Sequence, residues 1–209
     1  MPTPAAVPAI VPLSLLEAIR NLDTPVEDGL DELAEEIVVR RLGLSPTVAA
    51  QIQRYRAAAE REGAVELDEV VSVLRLVSRR PDAALVFADA GRRAARHAAR
   101  SRSRSARTLA RVSPGTLSRR VSLRAAARLA RQVFGGELRA PAQGTEVRMA
   151  EPLSILAVPD GAACAFYGSA YGELLRCLTA FEGAMLHPNC RARGDDACVW
   201  RTAPAEIYE

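Results

Sequence analysis

The apolar residues of this chain change their period once. As far as Gly136 they recur every three or four positions, and from Thr145 they alternate, through Val147 and Met149 and then Leu153, Ile155 and Ala157. A period of 3.6 belongs to helices and a period of 2 to strands, so the sequence predicts helices first and a sheet last. The expected class is α+β, an antiparallel sheet with packed helices and a C-terminal strand-helix-hairpin, preceded by an all-helical N-terminal section. Only nine of the 209 residues are aromatic, so Ala, Leu and Val must supply most of the core.

Prolines punctuate the helical part. Pro2, Pro4, Pro8 and Pro12 mark residues 1–12 as an extended leader without regular structure, ahead of a helical extension over 13–79. Thr24, Pro25 and Glu27 form a capping signal for a helix carrying Leu30, Leu33, Ile37 and Val38 and ending near Gly43. Ser45-Pro46 repeats the device for a helix through Ile52 and Tyr55 that stops at Glu62-Gly63, and Leu67 to Val77 reads as another. Beyond Pro81, Ala83 to Ala99 is predicted helical with Leu85, Val86, Phe87 and Ala90 on its apolar side, and the Ser-Arg run between 100 and 113 is a loop or a frayed helix end. A last helix before Gly135-Gly136 sets Leu117, Val121, Ala125, Leu129 and Val133 in one stripe, beside a basic stripe of Arg120, Arg124, Arg128 and Arg131.

The C-terminal quarter holds the most specific chemistry. Cys164 to Ala180 reads as a helix, and Met185–Ala192 and Ala197–Thr202 as strands joined by the turn Arg193-Gly194-Asp195-Asp196. Cys164 then opens the helix, while His187, Cys190 and Cys198 belong to the hairpin; Pro188 disturbs the pleat and turns His187 and Cys190 toward one point. Three thiolates and an imidazole suit a tetrahedral structural zinc. The residues alone leave two alternatives: buried cysteines acting as small hydrophobes, and a Cys190–Cys198 disulfide, which a reducing cytosol disfavours. Cys177, among Leu174, Leu175 and Leu178, reads as a packing residue.

The segment Cys164-Ala-Phe-Tyr-Gly-Ser-Ala-Tyr-Gly-Glu-Leu-Leu-Arg, followed by Asn189-Cys190-Arg-Ala-Arg-Gly194-Asp-Asp-Ala-Cys198-Val-Trp, resembles the C-terminal signature of the four-vinyl-reductase domain. That family includes a bacteriochlorophyll-pathway protein and the sensor modules of phenol-responsive activators. The resemblance is closest over 164–200 and looser over 81–160; it implies a ligand-binding domain over 81–203 and a zinc on Cys164, Cys190 and Cys198. His187 stands where the family has Glu, a change that keeps four donors. A hydrophobic ligand such as a tetrapyrrole is implied as well. Phe166, Tyr167, Tyr171, Phe181 and Trp200 are either its pocket or simply core.

Reductase chemistry has no visible cofactor site, because no Gly-x-Gly-x-x-Gly follows a predicted strand and the chain has no Lys for a phosphate loop. An oxidoreductase acting on a vinyl group therefore ranks third, behind a non-catalytic carrier or accessory factor and a structural subunit of a larger assembly. Between Arg92 and Gly136 lie thirteen Arg and no acid, whereas the rest of the chain carries fifteen Arg against 25 acids. The basic stripe is a solvated face or a surface for an acidic protein or an anionic membrane complex; nucleic acid is disfavoured for want of a binding motif. A second copy of the chain is a further expected partner. Without a basic leader or an apolar run of about 20 residues, the expected location is the cytoplasm, with peripheral membrane contact.

Overall fold

Regular structure begins earlier than the prolines imply. In the computed structural model, which describes residues 6–24, 42–110, 115–141, 144–179 and 181–204, β1 (Ala6–Pro8) pairs antiparallel with β2 (Ala64–Glu66), and α1 runs from Ile10 to Asp23. Residues 6–12 are thus ordered, against the expected leader. Pro12 sits in the first turn, where its missing N–H has no helical acceptor to lose. From Val11 to Ile19 every residue of α1 is buried, as a helix enclosed on all sides must be. The predicted helix through Leu30, Leu33, Ile37 and Val38 lies outside the described residues, and Thr24 caps the C-terminal end of α1, its hydroxyl 2.7 Å from the Arg20 carbonyl.

Helix α2 (Pro46–Glu60) starts as predicted, with Ser45 Oγ accepting the Val48 N–H at 3.3 Å. After β2, which interrupts the section expected to be wholly helical, α3 covers Leu67–Ser78. Helix α4 (Ala83–Ala110) continues to Ala110 through the Ser-Arg run that was expected to be a loop or frayed end, since Arg is a good helix former and Ser a tolerable one. Leu85 is 63% exposed, while Val86, Phe87 and Ala90 are buried, so the apolar side begins one residue later than predicted. Helix α5 spans Gly115–Phe134. Its buried face is Ala126, Leu129, Ala130 and Phe134, with Val121 exposed, because Phe134 packs edge-on to other rings and its bulk sets the helix rotation.

The sheet is antiparallel in the order β3-β4-β6-β5, with β3 Glu137–Arg139, β4 Glu146–Met149, β5 Gly183–Asn189 and β6 Cys198–Pro204. Val147 faces Trp200 and Met149 faces Cys198 across the β4–β6 pair, which puts large buried side chains on one side. Leu153–Ala157, expected as a strand, is the short helix α6: five alternating residues suit either state, and Pro152 supplies an extended lead-in. Helix α7 (Cys164–Thr179) lies over the sheet.

Helices α4 and α7 run side by side in the same direction, Gly91 against Phe166 and Ala170, and Arg96 paired with Glu173 at 2.6 Å. A Cβ on Gly91 would stand 2.2 Å from the Phe166 carbonyl oxygen, so the axes approach this closely only with glycine there. Ala90, Ala94 and Ala98 continue the small seam. Helix α1 packs on α4 as well, and the apolar core runs unbroken across Arg80, from Leu16 and Ile19 to Phe87 and Trp200. Among the described residues no helix is long and apolar enough to cross a membrane.

Candidate metal centre

Four elements bring one donor set together. Before α7 the chain turns at Gly161, whose φ of +83° favours glycine, and Asp160 Oδ1 accepts the Ala162 N–H at 2.8 Å. A Cβ on Gly161 would lie 2.9 Å from Ala192 Cβ and 3.3 Å from Cys190 Sγ, so glycine also lets the hairpin reach the helix start. Cys164 follows in the first turn of α7.

The hairpin presents the other three donors. Pairing slips between Leu186↔Arg201 and Asn189↔Val199, so His187 and Pro188 form a bulge with one residue too many on β5. Pro188 thus acts as its position predicted. Beyond Asn189, residues Arg191–Arg193 make a 3-10 turn closed by Gly194 at φ +91°. Asp195 holds it: Oδ2 accepts the Cys190 N–H at 2.7 Å and Oδ1 the Asn189 side-chain amide at 3.1 Å, which keeps its carboxyl below the usual range. The Arg193 guanidinium donates to the carbonyls of His187 and Pro188 at 2.9 and 2.7 Å, fixing the bulge.

The donors converge. Cys190 Sγ lies 4.0 Å from Cys164 Sγ and 3.8 Å from Cys198 Sγ, and with a ring nitrogen of His187 all four ligand atoms fall within 4.8 Å of one another. Bonds of about 2.3 Å in a tetrahedron set two zinc-bound sulfurs roughly 3.8 Å apart, whereas a disulfide would need about 2.05 Å. The cysteines are free. His187 Nε2 is buried without a hydrogen-bond partner, a costly arrangement for an imidazole nitrogen unless something else coordinates it. These four residues can hold a metal ion.

Protonation fits the same use. Burial pushes the Cys164 thiol well above its ordinary value, with Ser154 opposing and the neighbouring thiols adding to the rise. Burial also raises Cys198, against the Arg191 N–H donated to its sulfur at 3.4 Å. His187 is pushed down by burial first and by Arg193 second, so its ring is neutral and its lone pair free to bind. Without a cation the raised thiols keep their protons; a divalent ion displaces them and supplies the charge that three thiolates need.

The supporting residues were not singled out from the sequence. Ser154, buried in α6, puts its hydroxyl 3.2 Å from Cys164 Sγ, and the alternation that suggested a strand concealed it. Asp195 was read only as a turn residue, although Asp five positions after a Cys in a tight turn is well placed to bind its N–H. Cys177 corrects an expectation, for it is exposed and apart from the cluster, 4.0 Å from Glu173.

Of the five aromatics that read as core or as pocket, four are buried in the core, and Trp200 among them also borders a groove. Phe166, Tyr167, Tyr171 and Trp200 are buried and touch one another at centroid distances of 5.3 to 6.1 Å, with Tyr171 donating to Met149 Sδ at 2.9 Å. Phe181 is half-buried, its ring beside Gly183. Trp200 also stacks on the imidazole of His187 at 4.6 Å and 5°, locking that ring's plane. An open groove of about 470 Å³ runs beside Trp200, His187 and Cys164. Arg120, Arg124, Arg128 and Arg131 are all exposed along α5, and Glu137 shares a surface depression with Arg128 and Arg131. No family model, curated protein or solved structure matches the chain.

Proposed function

We propose that this chain is a non-catalytic small-molecule-binding protein whose C-terminal unit is stabilised by zinc. The observation that carries the metal is the spacing of the donors: sulfurs at 3.8 and 4.0 Å, with an orphaned imidazole nitrogen beside them. Soft thiolates with one imidazole favour zinc over magnesium or calcium, and four protein ligands leave no position for a substrate water, so the ion's work is structural. It would tie the start of α7 to the β5–β6 hairpin and Ser154 of α6. The expected result is one zinc per chain in purified protein by elemental analysis, and none in Cys198→Ser; metal-free wild type purified without chelator would end the proposal.

The proposed cargo is hydrophobic, a tetrapyrrole of bacteriochlorophyll metabolism being the one that the four-vinyl-reductase resemblance implies, with the chain as carrier or accessory factor. The open groove beside the centre is what supports a cargo site. An absorbance spectrum of the protein isolated from its own cells tests this part, since a tetrapyrrole absorbs strongly near 400 nm and above, and its absence would remove that cargo.

A second reading, an interaction subunit, rests on the basic stripe. Arg120, Arg124, Arg128 and Arg131 recur along one exposed face of α5 with no acid interspersed, unlike the mixed surface of an ordinary solvated helix. Such a face would bind an acidic protein surface. A partner that co-purifies at low salt, leaves at moderate salt and is lost in Arg124→Glu/Arg128→Glu would favour this reading.

A further inference from the structure

The groove beside the metal centre has a chemical bias of its own. It lies between α7 and β5, with Ala165, Gly168, Ser169 and Gly172 along one side and Met185 and Trp200 on the other. The small residues recur at i, i+3, i+4 and i+7, so they form one face of the helix, and side chains of ordinary size there would close the space. Space is already short at two points: a Cβ on Gly168 would come within 3.3 Å of the pyrrole edge of Trp200, and one on Gly172 within 3.2 Å of Met185 Cγ. The volume, about 470 Å³, lies in the range that takes a drug-sized molecule.

Two guanidiniums flank this open groove of mixed polarity, Arg92 from α4 and Arg176 from α7. Each stands near an acid that another arginine holds more closely. Asp89 is 2.6 Å from Arg93 but 3.9 Å from Arg92; Glu173 is 2.6 Å from Arg96 but 3.5 Å from Arg176. Two carboxylates thus serve four arginines, and the surplus cations are the two that line the groove. Arg176 is also oriented, by a 2.8 Å bond from its guanidinium to the Gly183 carbonyl. Along α7, Arg176 lies seven residues past Ser169, roughly 10 Å at the rise of a helix.

We infer that the groove binds an elongated apolar carboxylate, its hydrocarbon or aromatic body against the partly exposed Ala165, Ser169 and Met185, beside Trp200, and its carboxylate on Arg92 or Arg176. This rests on the small-molecule reading above and narrows it to an amphipathic anion. Guanidinium and carboxylate match as a two-pronged pair, and the nearby apolar wall strengthens the pair relative to open water. A neutral molecule of the same shape would gain the apolar contact and leave each cation with only the carboxylate it shares with another arginine.

Trp200 is the only tryptophan in the chain and borders this groove, so its emission reports a probe bound nearby, and the variants decide whether that probe sits in the groove. Full-length protein carrying its metal is titrated with pyrenebutyrate and, separately, with the neutral pyrenebutanol, following loss of Trp200 emission by energy transfer to pyrene. The expected result is saturable quenching by pyrenebutyrate at least tenfold tighter than by the alcohol. Arg92→Gln or Arg176→Gln should narrow that ratio, and the double variant should bring it near one. Ser169→Phe fills the groove and should abolish quenching by both probes; the exposed arginine variants test the proposal even if Ser169→Phe fails to fold. Equal binding of acid and alcohol would overturn the inference and leave the small-molecule reading standing. Binding of neither probe would remove both, and quenching unchanged in a folded Ser169→Phe would place the probe elsewhere and overturn the inference.

Discussion

Two polar clusters fasten this chain at opposite ends of its sequence, and they work by different chemistry. In the N-terminal half, Asp23 accepts from Arg80 at 2.7 and 3.1 Å and from the Gly43 N–H at 2.8 Å, while Arg80 also holds Asp82 at 2.8 Å. Buried Glu17, nearby on α1, is paired with Arg56 at 2.7 Å. Every charge there has an opposite, so that cluster is complete with protein alone. The C-terminal cluster has four donors that can hold a metal ion and an imidazole nitrogen with no hydrogen-bond partner. An ion pair tolerates dilution and chelators and weakens with acid; a thiolate site does the reverse at first and then also yields to acid, because protons compete for its ligands.

Removing the metal is the widest test of this contrast. With the ion at a thousand times its dissociation constant, its loss removes about 4 kcal/mol, or roughly 10 °C of melting temperature for a chain of this size. Hydrogen exchange should then accelerate in 183–200 and at the start of α7, and stay slow in α1 and α3. Equal acceleration in both halves would mean that the two clusters are one cooperative unit and that the contrast is wrong.

Asp23→Ala reverses the test. It takes from Arg80 one of its two carboxylates, leaving Asp82, and removes the acceptor of the Gly43 N–H, for a loss of about 2 kcal/mol by urea unfolding. Zinc content should not change. A variant that lost metal would show that the N-terminal cluster shapes the C-terminal site.

Acid should separate the clusters by order. The Glu17 carboxyl, hydrogen-bonded first to His97 and then to Arg56 against the cost of burial, is held down at about 2 from an ordinary 4.5. Its contribution is therefore complete above about 4.5 and is lost only as the pH falls toward 2. Metal release needs protons to displace the ion from thiolates, and a thiol takes up protons far above the carboxylate range, so it should come at higher pH, before the Glu17 contribution starts to fall. Metal content and circular dichroism measured down one pH series should show two steps in that order; a single coincident step would break the contrast.

Cys177→Ser is the smallest change, within about 0.5 kcal/mol for an exposed residue away from the centre. Metal content should be unchanged, as it should not be for the other three cysteines. A lost ion would show that the assignment of ligands is wrong.

Much of this was legible from local rules. Ser45-Pro46 started a helix because a hydroxyl before a proline at N1 caps wherever it occurs, and Gly194 turned the hairpin because few other residues adopt its φ. Cys164, His187, Cys190 and Cys198 were readable as one set from residue type and hairpin spacing. Three features were less visible. Leu153–Ala157 was too short for its alternation to distinguish strand from helix. Pro12 was read as a breaker because position within a helix decides what a proline does, and nothing local said that the helix began at Ile10. The aromatic residues read more readily as core than as a pocket, but only the fold shows four of them packed on one another with Trp200 also at the edge of a groove.

What the sequence determined by itself was the class of fold and the identity of the donors, because hydrophobic period and side-chain chemistry are properties of neighbouring residues. Only the tertiary structure decided that the four donors meet, that Ser154 and Asp195 brace them, and that Arg92 and Arg176 flank one groove. Those facts depend on the close crossing of α4 and α7 at Gly91 and on the one-residue bulge at Pro188. Contacts between residues about 80 positions apart are set by how whole elements pack, and no local pattern carries that information.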